Sequence, residues 1–338
     1  MADFEPIASE STVNLPSDSA IADETMALGE RLPETEGSLA ADGAAIGALA
    51  DETYFDKPEN RWLEMWRSLV ANKAAMISLF FIAFLVFLAL FGPLIVPYNP
   101  VETDMPNALQ PPSSQHWFGT DQLGMDIFSR VIVGTRVSLT VGLLAVSIAL
   151  FVGLVLGSVS GYRGGKTDTV IMRVMDMMLA IPSILLAITL MAALGKGIDK
   201  AVIAIGLVSI PEYARLVRGN ILSIKENDYI AAAHLTGNSH FRIVMRHVLP
   251  AALSVIIVRA TLGFSAAVLD LAALGFLGMG VQPPQAEWGD MLGRARGFIF
   301  QAPWTLIFPG MAITLTVLAF NLLGDGLRDA LDPKSRIK

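Results

Sequence analysis

Long apolar runs separated by short polar segments dominate this chain of 338 residues. A helix needs about 20 apolar residues to cross a hydrocarbon core about 30 Å thick. Ala74–Val96 supplies one uninterrupted run and Val137–Val159 a second. Val170–Leu194 is a third, interrupted near its start by Arg173 and Asp176. Ala201–Val217 is a weaker fourth, broken by Pro211-Glu212. Val248–Leu277 is a long fifth and Trp304–Leu323 a sixth. The pattern predicts an all-α polytopic membrane protein with six transmembrane helices.

Lys and Arg placement gives the orientation. With the N-terminus inside, fifteen basic residues from Arg61 onward fall on cytoplasmic segments and six on outer segments. Both termini are therefore expected in the cytoplasm. Before the first run, Trp62, Met65, Trp66 and Leu69 recur at helical spacing among basic residues. That stretch suits a short helix lying on the inner leaflet, or a simple extension of the first span. Pro182, Pro211, Pro250 and Pro309 fall inside or at the edge of spans. Each removes a backbone donor and tends to kink its helix.

Composition agrees with a membrane protein: 53% of residues are hydrophobic, 16% are charged, and the mean hydropathy is +0.56. The net charge of −7 hides an uneven distribution. Residues 1–60 hold fourteen acids and two bases, whereas the remainder holds seventeen acids and twenty-two bases. The acidic, Ala/Ser/Gly/Pro-rich segment cannot bury enough apolar surface to offset its ordering entropy, so a disordered cytoplasmic tail is expected. It lacks the basic and apolar regions of a signal peptide.

Enzyme chemistry finds no support. There are no cysteines for thiolate or metal work. Gly161 is followed by only three residues before Gly165-Lys166-Thr167, one short of a phosphate-binding loop, and the loop follows a membrane span rather than a strand. The four histidines form no zinc-protease pattern, and no G-x-S-x-G elbow occurs. His240 and His247, seven apart among basic neighbours, fit a solvated helix face.

Ionisable groups inside spans carry more information, because burying them is expensive. Arg259 and Asp270 lie eleven residues apart in the fifth run. That spacing places them on one helix face but about 16 Å apart, too far for an ion pair. Both are candidate pathway residues, as are Asp176 and Asn321. Arg173 and Asp176, three apart, read as a local pair. Asn321 reads as an interhelical hydrogen-bonding group.

The polar segment 225–247 between the fourth and fifth runs is the best candidate for work. It carries Glu226, Asp228, Arg242 and Arg246, with small residues at Ala231, Ala232, Ala233 and Gly237, and Leu249-Pro250 closes it. Small residues permit close approach of another surface, and Gly permits a turn between two short helices. A docking helix–turn–helix follows, although a plain cytoplasmic loop fits the same physical signals.

From about Arg61 to its C-terminus the chain resembles the C-type inner-membrane permeases of peptide ABC importers, the dipeptide type above all. The motifs are "HWFGTDQLGMDIFSRVIVGTRVSLTVGLLAV", "IMRVMDMMLAIPSILLAI", "LVRG", "TLGFSAAVLDLAALGFLGMGVQPPQAEWGDML" and "LTVLAFNLLGDGLRDALDP". The resemblance implies a type I importer permease of six helices. It implies a homologous B-type permease as partner, two ABC ATPase subunits docked inside and a periplasmic peptide-binding protein outside, all in or on the lipid bilayer of the inner membrane. ATP and Mg are implied on the ATPases and no cofactor in this chain, which is not itself an enzyme. Nucleic acid is not among the expected partners. Segment 226–247 corresponds to the family's coupling helix, with Ala232, Ala233 and Gly237 at its motif positions. Ala231 stands where Glu is usual, His247 where Ile is consensus, and Met125 where Arg is usual in the outer motif.

The implied organisation is a tail over 1–60, an interfacial helix over 61–73, a first span over 74–97 and a periplasmic loop over 98–134. A permease core over 135–327 and a cytoplasmic C-terminal tail over 328–338 complete it. Segments 97–129 and 280–303 would form the external gate. The implied function is import of dipeptides or short peptides by alternating access. Two alternatives stand: another cargo such as an oligopeptide, nickel complex or haem, or a secondary transporter relaying ions through Asp176, Arg259 and Asp270.

Overall fold

A computed structural model describes residues 61–331. The expected tail 1–60 and the last residues of the expected C-terminal tail lie outside them. Among the described residues the regular structure is helical, with no strand.

Helix α1 spans Arg61–Ala71 and α2 spans Lys73–Ile95. They are separate helices. Asn72 adopts an extended conformation between them, and its side chain accepts the Ala75 N–H at 3.2 Å. A side-chain cap of this kind starts a new helix. Residues 61–71 are therefore not a simple extension of the first span. Ile77, Phe80 and Leu94 on α2 are strongly exposed, as suits side chains solvated by lipid.

Helix α3 runs from Ile127 to Arg163, starting ten residues before the apolar run. The expected outer loop 98–134 is accordingly shorter. Asp126 explains the early start, because its Oδ2 accepts both the N–H and the hydroxyl of Ser129 at 2.8 and 2.7 Å. Hydropathy missed this first segment because it contains Arg130 and Arg136.

The third run is not one straight span. It forms α4, Gly165–Leu179, and α5, Ser183–Leu194, bent by 91°. Pro182 cannot donate a hydrogen bond and drives Ile181 away from helical geometry. Helix α6, Ile198–Lys225, corrects the opposite expectation, since it passes through Pro211 and Glu212 unbroken. One proline costs a single backbone hydrogen bond, and the Glu212 charge has a partner, described below. Among the described residues, four helical segments are long and apolar enough to cross a membrane, or five if α4 and α5 form one bent span.

After α6 come α7, Asp228–Leu235, and α8, His240–Ile243, which widens into a π-helical turn over Val244–Val248. Helix α9 follows over Leu249–Phe276, then α10, Trp288–Ala295, and α11, Trp304–Leu331. The last helix extends past the predicted end at Leu323, so residues 328–331 are helical rather than tail.

The core is built on α3 against α6. Gly153, Gly157 and Gly161 form a stripe on α3; a Cβ on Gly153 or Gly157 would collide with α6, and one on Gly161 would be tight against it. On Gly157 it would come within 2.5 Å of the Ala214 carbonyl oxygen, and on Gly153 within 2.5 Å of the Tyr213 Cβ. Small residues at spacing four let two helices approach this closely, which is how packing holds helices together in lipid. Val141, Ala145, Ile205, Val268 and Leu271 extend that core to α9.

Candidate functional site

The segment 226–248 folds as a helix–turn–helix. Asp228 opens α7, where its charge favours the helix N-terminus. The helix ends in a Schellman turn: Gly237 N–H donates to the His234 carbonyl at 3.0 Å, and Asn238 N–H to that of Ala233 at 3.3 Å. Gly237 takes a φ of +78°, the left-handed conformation such a turn requires. Ser239 then caps α8 by accepting the Arg242 N–H. Leu249 and Pro250 open α9 directly after the π turn.

One face of this hairpin is buried and the other bare. Ile230, Ala233, Ile243 and Val248 pack on Val217 and Ile221 of α6 and on Ala252 and Ile256 of α9. Glu226, Asp228, Ala231, Ala232, Gly237, Arg242, Arg246 and Pro250 are exposed. Leu235 and Phe241, beside the turn, are 89% and 75% exposed. The hairpin is thus pinned to two long helices while presenting a mixed apolar and charged tip.

A second anchor was not foreseen. The Tyr162 hydroxyl, at the end of α3, lies 3.2 Å from His234 Nε2 and 2.9 Å from His240 Nδ1. Lys225 Nζ donates to the Tyr162 carbonyl at 3.1 Å. His240 is therefore more than part of a solvated face. Its contact partner is 78 residues away, and no local spacing signals it.

The candidate pathway residues do not converge. Asp176 pairs with Arg215 of α6, Oδ1 to Nη2 at 2.7 Å, both half exposed. The expected local pair with Arg173 is not made. Helices α4 and α6 lie side by side, so Asp176 meets a cation on the neighbouring helix in place of a weak one on its own. Arg259 forms an ion pair with Glu212. Its guanidinium also lies 5.5 Å from the centre of the Tyr213 ring. Asp270 is half-buried, and no ion pair reaches it among the described residues. Asn321 is half-buried in α11 and makes no interhelical hydrogen bond among the described residues, contrary to expectation.

At the far end of α3, the connections 96–126 and 277–303 form a packed cap. Trp288 is buried and donates its indole N–H to the Val131 carbonyl at 2.9 Å. Phe118 stacks on Phe308 at 3.9 Å. Glu287 caps α10, its two oxygens accepting from Gly289 and Asp290 at 2.7 and 2.8 Å. Burial pushes its carboxyl up to about 7, against the pull of those two N–H donors. Burial also raises Asp121, which the charge of Arg130 partly offsets. Met125 is buried, and its sulfur lies 2.9 Å from Arg130 Nη1.

Residues 153–337 match the sequence profile of the family described as binding-protein-dependent transport system inner membrane component. The chain belongs to this family. Residues 60–112 also match the N-terminal transmembrane domain of oligopeptide transport permease C. The chain is 50% identical over 275 residues to the dipeptide transport system permease protein DppC of Alkalihalophilus pseudofirmus, covering 81% of this chain and 90% of that one. It is 48% identical over 277 residues to the di/tripeptide transport system permease protein DppC of Pseudomonas aeruginosa, covering 80% and 91%. It is 47% identical over 280 residues to the glutathione transport system permease protein GsiD of Escherichia coli, covering 82% and 92%. Among solved structures, an inward-facing form of the MetNI methionine ABC transporter aligns with a TM-score of 0.51 at 19% identity. That alignment covers 61% of this chain and 98% of the other, and it shows the importer-permease fold. As a member of this family the chain is a multi-pass inner-membrane transport component, and its relatives are permease subunits rather than ATPases.

Proposed function

We propose that this chain is the C-type permease of an ATP-driven importer of dipeptides or short peptides. The observation that carries the cargo is the 50% identity to a dipeptide permease over 90% of that relative's length. In this reading the chain crosses the membrane six times with both termini inside. It pairs with a homologous B-type permease. Two ATPase subunits hold ATP and Mg, one of them docking on the hairpin 226–248, while a periplasmic peptide-binding protein docks on the cap formed by 96–126 and 277–303.

The hairpin's geometry supports a coupling role. Ile230 and Ile243 tie it to α6 and α9, so a displacement of its tip is passed on as rigid-body motion of those two helices. Closure of the ATPases would rock the bundle and open a cavity between the two permeases outward, and hydrolysis would reset it. The partner's ATP supplies the energy through different contacts in the two states. Position 231 holds Ala, so the family's usual glutamate contact is not used here. Leu235 and Phe241 offer apolar area in its place.

Deleting the gene in a strain with no second dipeptide importer should abolish uptake of labelled dipeptide, and the native chain should restore it. Unchanged uptake after deletion would reject dipeptide as cargo.

A further inference from the structure

The pair Glu212–Arg259 sits where a charge is costly. Arg259 lies ten residues into α9, about 15 Å from its start, and Glu212 lies at the middle of α6. Both are therefore near the centre of their helices. The side chains remain 29% and 50% exposed. Ionised groups do not face hydrocarbon, so this exposed surface must turn toward water or toward another protein chain. Arg259 and Arg328 line a cavity of about 440 Å³ between α6, α9 and α11, together with Leu216, Val258 and Leu262. That volume falls in the range of small-ligand pockets.

The pair is also held at a fixed depth. Tyr213, next to Glu212, is buried, and its hydroxyl donates to the Arg259 carbonyl at 3.4 Å. Gly263, one turn beyond Arg259, leaves room for that hydroxyl, since a Cβ there would overlap it at 2.0 Å. Pro211 adds an unsatisfied position in the same turn, because it cannot donate to the preceding helix carbonyls.

We propose that Glu212 and Arg259 form a two-ended clamp for a zwitterionic short peptide. This proposal rests on the peptide-importer reading above. Arg259 takes the peptide carboxylate through its planar fork, and Glu212 takes the terminal ammonium. Without cargo the two side chains neutralise each other, which avoids a lone buried charge. With cargo, one ion pair is exchanged for two. A zwitterion has no net charge, so the Glu212–Arg259 pair remains charge-balanced with and without it. A peptide blocked at either end would leave one protein charge unmatched.

The test uses the complete importer in proteoliposomes, with its partner permease, ATPases and saturating binding protein. The probes are radiolabelled alanyl-alanine for uptake and a diazirine-bearing dipeptide for photolabelling. The decisive variant is the double Glu212→Gln/Arg259→Gln. It removes both charges together and so leaves neither uncompensated, and co-purification of all partners verifies its assembly. The clamp predicts at least a tenfold loss of uptake in the double variant. It also predicts photolabel on α6 near 212 and α9 near 259 in the native importer, reduced at least fivefold in the variant. Arg259→Lys keeps the ion pair but loses the fork, and should lose about threefold of the label. Uptake by the double variant within twofold of native would make the pair a structural staple and overturn the clamp. So would photolabel of unchanged yield, or label placed elsewhere. A native importer that takes up no alanyl-alanine would overturn the peptide reading and the clamp with it. Native uptake without label at 212 or 259 would overturn the clamp alone.

Discussion

Asp168 and Arg218 face each other in a two-point ion pair between α4 and α6, with Oδ1 to Nε at 2.5 Å and Oδ2 to Nη2 at 2.6 Å. The Ser160 hydroxyl donates to the same carboxylate at 2.5 Å, bringing α3 into the junction. Three helices thus meet on one carboxylate just before the hairpin. Arg218→Lys keeps the charge but loses the fork. Because the pair is partly exposed, the expected loss is about 1 kcal/mol. Thermal unfolding of the purified assembly, native against variant, measures it. An unchanged midpoint would show that the pair does not brace this junction.

Two glycines give opposite expectations. Gly157→Ala forces a methyl to within 2.5 Å of the Ala214 carbonyl oxygen, so α3 and α6 must part. Overpacking of this kind costs about 1–3 kcal/mol. Gly219→Ala, in the same pair of helices, meets nothing within 4 Å and should stabilise by up to about 1 kcal/mol. Unfolding midpoints of the two variants should move in opposite directions.

The bare tip of the hairpin separates docking from folding. Leu235→Asp and Phe241→Asp replace highly exposed side chains, so stability should change by no more than about 0.5 kcal/mol. Transport should nevertheless fall at least tenfold, with reduced retention of the ATPase subunits on pull-down. Gly237→Val should also abolish transport, whereas Gly237→Asn, which tolerates a positive φ, should retain most of it. Normal uptake by Gly237→Val would remove the turn from the coupling account.

Glu287 predicts a pH dependence of the cap. Its folded-state value of about 7 lies above the ordinary 4.5, so the folded protein holds the proton more tightly than the unfolded chain. Stability from this group is therefore greatest below about pH 4.5, falls as pH rises, and levels off above about pH 7. The full change is on the order of 3 kcal/mol. Asp121, also raised by burial, adds a slope of the same sign. Glu287→Gln should flatten the decline in unfolding temperature between pH 5 and pH 8. A variant with the native slope would contradict it.

The features legible in the sequence were those written in local chemistry. Apolar length marked α2, α9 and α11, and the alanines with Gly237 marked a hairpin. What escaped depends on partners far apart in the chain. Nothing near Arg259 names Glu212, 47 residues earlier, and nothing near Tyr162 names His240. Asp176 looked local because Arg173 is close in sequence, yet its partner is Arg215 on another helix. The 91° bend at Pro182 and the unbroken passage through Pro211 show the same limit. A proline removes one hydrogen bond in either case, and the surrounding packing decides whether the helix turns.

Energy coupling is the central claim, and reconstituted transport tests it most directly. The complete importer in sealed proteoliposomes should take up labelled dipeptide only with ATP and Mg on the hairpin side, at a rate unchanged when an ionophore collapses the proton gradient. Uptake driven by a proton gradient without ATP would contradict the account and return Asp176, Arg259 and Asp270 to the role of an ion relay.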